Sequence, residues 1–135
     1  MPDSALAGLA ILRLNKAERC LQSAERALAA GDFEDTANRS YYCIFHSMKA
    51  VLALDEFNAK SHGEIIGKFR KDYIKTGFFH TKYSDIIGDA EDVRIYSDYD
   101  DSYIVSVNGV SAQVDNAREF LADVEKYIGE RIKSP

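Results

Sequence analysis

Cysteine is scarce in this chain. Cys20 and Cys43 stand alone, with no C-x-x-C spacing and no Cys/His cluster around either. Neither a disulfide framework nor structural zinc is expected from such a pattern, and a reducing cytoplasm is the expected compartment. Long hydrophobic runs are also missing. The longest apolar-plus-glycine run near the start, Ala5 to Leu12, falls far short of the ~20 residues that span a bilayer, and no basic residues precede it as in a signal sequence. Membrane insertion and export are therefore not expected. There is no internal repeat and no low-complexity linker. The 135 residues are expected to form a single domain over 1–135, long enough to bury a core without a staple.

Several chemistries are excluded in the same way. No glutamate stands three residues before His46, His62 or His80, so the Glu-x-x-His pairs of a di-iron bundle are missing. Asp98, Asp100 and Asp101 lack the glycine and terminal glutamate of an EF-hand loop. There is no glycine-rich phosphate loop and no nucleophile elbow. No metal and no cofactor are expected. The formal net charge of -5 argues against indiscriminate nucleic-acid binding, which depends on neutralising phosphates. The charge is uneven, however. Lys60, Lys68, Arg70, Lys71, Lys75 and Lys82 face only Glu64 and Asp72 across residues 58–82, and residues 84–101 are strongly acidic. A local basic face is compatible with that distribution, as is a solvated surface of mixed charge.

Apolar periodicity dominates what is present. Leu14, Ala17, Leu21, Ala24 and Leu28 recur at three and four residues and predict a helix from about Ser4 to Ala30, capped by Asp3 or Ser4 and stopped at Gly31-Asp32. Ala37, Tyr41, Ile44, Met48, Val51 and Leu52 predict a second helix, from about Phe33 to Leu54, antiparallel to the first. Ser61 and Glu64 form a capping-box pattern that opens a third helix, closed at Gly77. Tyr83, Ile86, Ile87, Ala90 and Val93 outline a fourth. Tyr103 to Val107 is strand-like and Asn108-Gly109 is a turn signal; with no second strand to pair with, the stretch reads as an extended connector. Val114, Ala117, Phe120, Leu121, Val124 and Ile128 carry a last helix from about Ser111 to Lys133. The expected fold is all-α, a single antiparallel four- or five-helix bundle.

The second helix carries the candidate site. Arg39 and His46 are seven positions apart, which at about 100° per residue returns both to one face roughly 10 Å apart along the axis. An arginine can hold phosphate oxygens in a bidentate fashion, and a histidine can move protons near neutral pH. The pair therefore suits phosphodiester chemistry, in which His46 carries the proton and Arg39 stabilises charge. Asn38, Ser40 and Tyr42 are candidate donors to phosphate or ribose. Cys43 and Ala50, small residues between the polar ones on the row of Arg39 and His46, would admit another helix at close range. Side chains lean toward a helix N-terminus, so Arg39 and His46 of one copy diverge; two copies in antiparallel register would bring them together, and a homodimer is expected on that ground. On pattern alone the same pair also fits a packed helix with no chemistry.

Asn38-Arg39-Ser40-Tyr41-Tyr42-Cys43-Ile44-Phe45-His46-Ser47-Met48-Lys49-Ala50-Val51-Leu52 resembles the signature helix of the HEPN superfamily, the higher eukaryotes and prokaryotes nucleotide-binding domain, in its small stand-alone prokaryotic branch. Ser61-His62-Gly63, Lys75-Thr76-Gly77, Arg94-x-x-x-Asp98-Tyr99 and Ala117-Arg118-Glu119-Phe120-Leu121 extend the resemblance over most of the chain. It implies a helical bundle that often dimerises through the motif helices, and often a metal-independent ribonuclease whose motif is Arg, four to six residues, then His. Arg39 and His46 have six between them. It further implies an RNA substrate and, in many members, a toxin encoded beside a nucleotidyltransferase antitoxin. Where toxins of that kind commonly carry tyrosine two residues after the histidine, this chain has Met48. A catalytically inactive module that binds a nucleotide or a partner protein is the alternative the family offers.

Overall fold

The computed structural model describes residues 3–100 and 105–133, and the described residues form five α-helices. Helix α1 spans Ser4–Ala29 and α2 spans Phe33–Ala53. Asp3 caps α1 by accepting from the Ala5 amide at 2.7 Å, and Asp32 caps α2 by accepting from Asp35 at 3.3 Å. Between them Gly31 takes a φ of +79°, a left-handed conformation that closes the helix end: its amide donates to Leu28 O, and that of Asp32 to Ala27 O. The chain reverses in a few residues. α1 and α2 form an antiparallel hairpin in which the Arg13 guanidinium reaches the Lys49 carbonyl at 3.0 Å.

Helix α3 spans His62–Phe69 and runs on into a π-helical turn over Arg70–Ile74, marked by the Lys75 amide donating to Arg70 O at 2.8 Å. Ser61 caps α3 as its spacing predicts, accepting from Glu64 N at 3.1 Å. Gly77, at φ +90°, ends this segment. Helix α4 spans Lys82–Tyr99 and tolerates Gly88 for a packing reason. A Cβ there would lie 3.1 Å from the Arg70 guanidinium, which crosses α4 to donate to Ser84 O at 2.8 Å.

Helix α5 spans Val107–Lys133 and begins four residues earlier than its periodicity predicts. Asn108-Gly109 is thus the first turn of a helix, not a connector turn. Ser106 accepts from the Gly109 amide at 3.0 Å, and Val110 is buried beside Ala37 and Val105, so capping and packing together override the turn propensity of the pair. Of the strand-like stretch, Tyr103 and Ile104 lie outside the described residues. Val105 and Ser106 are irregular, and Val107 is helical.

α2 is the central element. Tyr41, Cys43, Ile44, Met48, Ala50, Val51 and Leu52 are fully buried among α1, α3, α4 and α5. Ala117 of α5 lies against it, its carbonyl 3.9 Å from Cys43 Sγ, and Gln113 of α5 clamps it by donating from Nε2 to Ala37 O at 3.0 Å and Ser40 Oγ at 2.6 Å. Phe69, Tyr73, Phe79, Phe120 and Tyr127 pack edge-to-face and tilted at the other end of the core. The bundle is all-α, and none of the described helices is long and apolar enough to cross a membrane.

Candidate functional site

Among the described residues, three sides of α2 are covered by the other helices and one is open. The open strip is formed by Asp35, Asn38, Arg39, Tyr42, His46 and Lys49, with Asp35 and Arg39 exposed and the other four half-buried. Four of the five residues predicted for the site share it. Ser40 does not. It is fully buried on the side facing α5, where its hydroxyl donates to Thr36 O at 2.7 Å and receives Gln113, so it serves the fold and has no face toward a substrate.

The small residues that the sequence offers to a second subunit are likewise consumed internally. Cys43 and Ala50 are fully buried, and the close approach they permit is made by this chain's own helices: Cys43 Sγ meets Ala117 O, and Cys20 of α1 lies close enough to act on it electrostatically. Burial drives the Cys43 thiol far above its ordinary range, which removes it as a nucleophile.

Arg39 leans toward the helix N-terminus, where its Nε lies 3.7 Å from Asp35. His46, two turns further on, stacks on Tyr42 with ring centroids 5.8 Å apart and meets the edge of Phe45 at 5.7 Å. Burial, followed by the positive charges of Lys16, Lys49 and Arg13, pushes its pKa down to about 4. The imidazole is therefore neutral at pH 7 and able to accept a proton. A bound anion would oppose those cations and move the pKa back toward neutrality.

Arg13 and Lys16 are the residues that the sequence reading overlooked. Their signal lies in the hairpin itself: Arg13 and Lys49 stand eighteen residues either side of Gly31, and Lys16 and His46 fifteen either side. Reflection through the turn would have located both. The basic segment 58–82 is spent differently. Lys68 pairs with Asp72 at 2.7 Å, Lys82 pairs with Glu119, and Arg70 is bound to α4.

One residue of that segment does reach the site. His62, the first residue of α3, packs on Phe45 at 4.2 Å and meets Tyr42 at 5.9 Å, while its Nδ1 is 2.8 Å from the Tyr41 hydroxyl. Arg94 of α4 covers the Tyr41 ring at 4.9 Å and holds Asp98 at 3.5 Å. Tyr41, His62 and Arg94 come from three helices, so the element Arg94-x-x-x-Asp98 and the start of α3 converge beside the α2 motif.

Residues 11–130 match the HEPN domain. The chain belongs to the HEPN family. Among the relatives of this HEPN protein is one from Methanocaldococcus jannaschii, named provisionally as a toxin, 27% identical over 115 residues that cover 85% of this chain and 78% of the relative. A second protein of the same organism, also named provisionally as a toxin, is 32% identical over 83 residues, 62% of each chain. A UPF0332 protein of Thermotoga maritima is 24% identical over 113 residues, covering 84% of this chain and 86% of the relative. The family match extends over all five helices, so the fold and the resemblance agree. Met48, in place of the tyrosine that the toxin pattern carries, is fully buried beneath the strip. Among the described residues, no group of three or more His, Cys, Asp and Glu is placed to hold a metal ion.

Proposed function

We propose that this HEPN protein is a metal-independent endoribonuclease, the toxin or effector of a toxin-antitoxin or defence system that acts on cytoplasmic RNA. The observation that carries the reading is the open strip of α2: an exposed arginine and a neutral, half-buried imidazole with Lys16, Lys49 and Arg13 around it, on the face of the helix that the described residues leave uncovered. In RNA the 2′-hydroxyl is an internal nucleophile, so a base, a proton for the leaving oxygen and a cation for the developing charge suffice without metal. His46 takes the 2′-proton. Arg39 stabilises the charge that builds on the phosphate. Asn38 and Tyr42 donate to phosphate or ribose, and Arg13, Lys16 and Lys49 draw the backbone onto the strip.

The active unit in this reading is a homodimer. Within one chain Arg39 turns to Asp35, away from His46, and about 10 Å of helix separates them. An antiparallel twofold contact between strips would set Arg39 of one protomer beside His46 of its partner and form two composite clefts. The toxin names of the relatives support an antitoxin, and a small nucleotidyltransferase is the partner that the family pattern suggests. A non-enzymatic reading, in which the strip binds a nucleotide or a partner protein, draws on the Arg39–Asp35 pair, which competes with a phosphate for the guanidinium.

The test is cleavage of total RNA by the purified protein in EDTA. Wild type should cut, His46→Ala should lose at least about 100-fold, and Arg39→Ala should lose comparably. Equal cleavage by wild type and His46→Ala would reject His46 as the base. No cleavage by wild type would favour the binding module.

A further inference from the structure

Transesterification needs a proton for the leaving 5′-oxygen as well as a base for the 2′-hydroxyl, and His46 supplies only the second. His62 is the second imidazole that packs against the strip. It shares both of His46's aromatic neighbours: His46 is 5.7 Å from Phe45 and 5.8 Å from Tyr42, and His62 is 4.2 and 5.9 Å from the same rings. Through Phe45 the two imidazole centroids cannot be further apart than the 5.7 and 4.2 Å legs placed end to end. One ribose-phosphate unit spans that gap.

We propose that His62 is a second catalytic residue of this site, the acid that protonates the leaving 5′-oxygen while His46 removes the 2′-proton. The assignment rests on the ribonuclease reading. The 2′-oxygen attacks phosphorus, the bond from phosphorus to the 5′-oxygen breaks, the 2′-proton ends on His46, and the proton of His62 ends on the departing oxygen. The products are a 2′,3′-cyclic phosphate and a 5′-hydroxyl. Water then returns both imidazoles to their starting states.

The surroundings of His62 fit that role. Tyr41 engages Nδ1 and thereby leaves Nε2 as the nitrogen available to substrate. A hydroxyl can donate to Nδ1 of the neutral ring and accept from Nδ1–H of the imidazolium, so this contact survives both protonation states. Burial holds the Tyr41 pKa up at about 12, which keeps that hydroxyl protonated. Burial first, then Arg94, lowers the His62 pKa, with Glu91 opposing and Lys49 adding, and a bound phosphate would act against that lowering. The Ser61 cap anchors the start of α3, and the Tyr41 ring, covered by Arg94 on its own account, stacks on the imidazole with centroids 5.8 Å apart.

The experiment compares two RNAs in EDTA: the natural strand, and the same strand with sulfur in place of the 5′-bridging oxygen at the mapped cut site. A thiolate, with a thiol pKa of about 8.5, leaves without help from an acid. His62→Gln should slow the natural strand by about 100-fold and the sulfur strand by less than about threefold, whereas His46→Ala should slow both. Tyr41→Phe, which removes only the hydroxyl at Nδ1, should give a smaller loss with the same selectivity, and it serves if His62→Gln fails to fold by circular dichroism. Equal losses on the two strands, or no loss on either, would overturn the role of His62 and leave the ribonuclease reading intact. A wild-type protein inactive on both strands would overturn the ribonuclease reading and this assignment together.

Discussion

Replacing Lys16 with glutamine perturbs the electrostatics of the strip while leaving its packing in place. His46 is held at about 4, by burial first and then by Lys16, Lys49 and Arg13, against 6.5 for a free imidazole. For scale, two unit charges about 8 Å apart interact by roughly 0.5 kcal/mol at the dielectric of water and by about 2 kcal/mol at an effective value of 20. At 1.36 kcal/mol per pH unit, losing one such charge raises the imidazole pKa by about 0.4 to about 1, the upper end set by burial being the larger cause. Burial is unchanged, so His46 in Lys16→Gln should titrate above the wild-type value of about 4 and still below the free value. The same displacement governs stability. The unfolded chain takes up the proton near 6.5 and the folded chain only near 4, so stability is full above 6.5 and falls as pH drops through that window. The undiscounted linkage is about 3 kcal/mol; a half-buried ring screened by solvent should contribute about 1–2 kcal/mol. His62, also lowered, acts in the same direction. Ring-carbon NMR of the three histidines, with urea melts at pH 7 and pH 5, measures both effects. A wild-type His46 titrating at 6.5 or above, or one unmoved by Lys16→Gln, would refute the reasoning.

Gln113→Ala removes the clamp that satisfies Ala37 O and Ser40 Oγ in the interior, and should cost about 1–3 kcal/mol in denaturant melts, with the helical circular dichroism retained. Gly31→Ala forces a side chain into a left-handed turn and should cost about 1 kcal/mol in the same assay. In native protein Cys43 should resist alkylation by iodoacetamide and become reactive on unfolding, as read by mass spectrometry; ready modification of the folded chain would contradict its burial. Mixing Arg39→Ala with His46→Ala subunits should restore activity, since half of the dimers are mixed and each has one intact cleft of two, giving roughly a quarter of the wild-type rate. No recovery after verified subunit exchange would reject the composite cleft.

The helical stripes were legible because they obey the 3.6 period directly. Tyr41, Ile44, Met48 and Val51 are core residues as their spacing predicts, and the Ser61 cap is made as written. Four features were hidden for physical reasons. Asn108-Gly109 carries turn propensity, but the Ser106 cap and burial of Val110 make it helix, and neither is visible in local composition. Ser40 is polar and flanks Arg39, yet a helix turns 100° per residue, and that single step takes it from the open strip to the interface with Gln113. Cys43 and Ala50 signalled a close helix crossing correctly, but the sequence could not say whose helix would fill it; α5 does so at Ala117. The convergence of His62, Tyr41 and Arg94 depends on three helices meeting, which periodicity within one helix does not encode.

The most direct measurement of the central claim is the chemical identity of the ends left on an RNA cut in EDTA, read by mass spectrometry of the fragments. Attack by the 2′-hydroxyl, with His46 as base, predicts a 2′,3′-cyclic phosphate on one fragment and a 5′-hydroxyl on the other, and no product from a strand carrying 2′-deoxyribose at the cut site. A 3′-hydroxyl with a 5′-phosphate, or cleavage of the deoxy-substituted strand at that position, would contradict it.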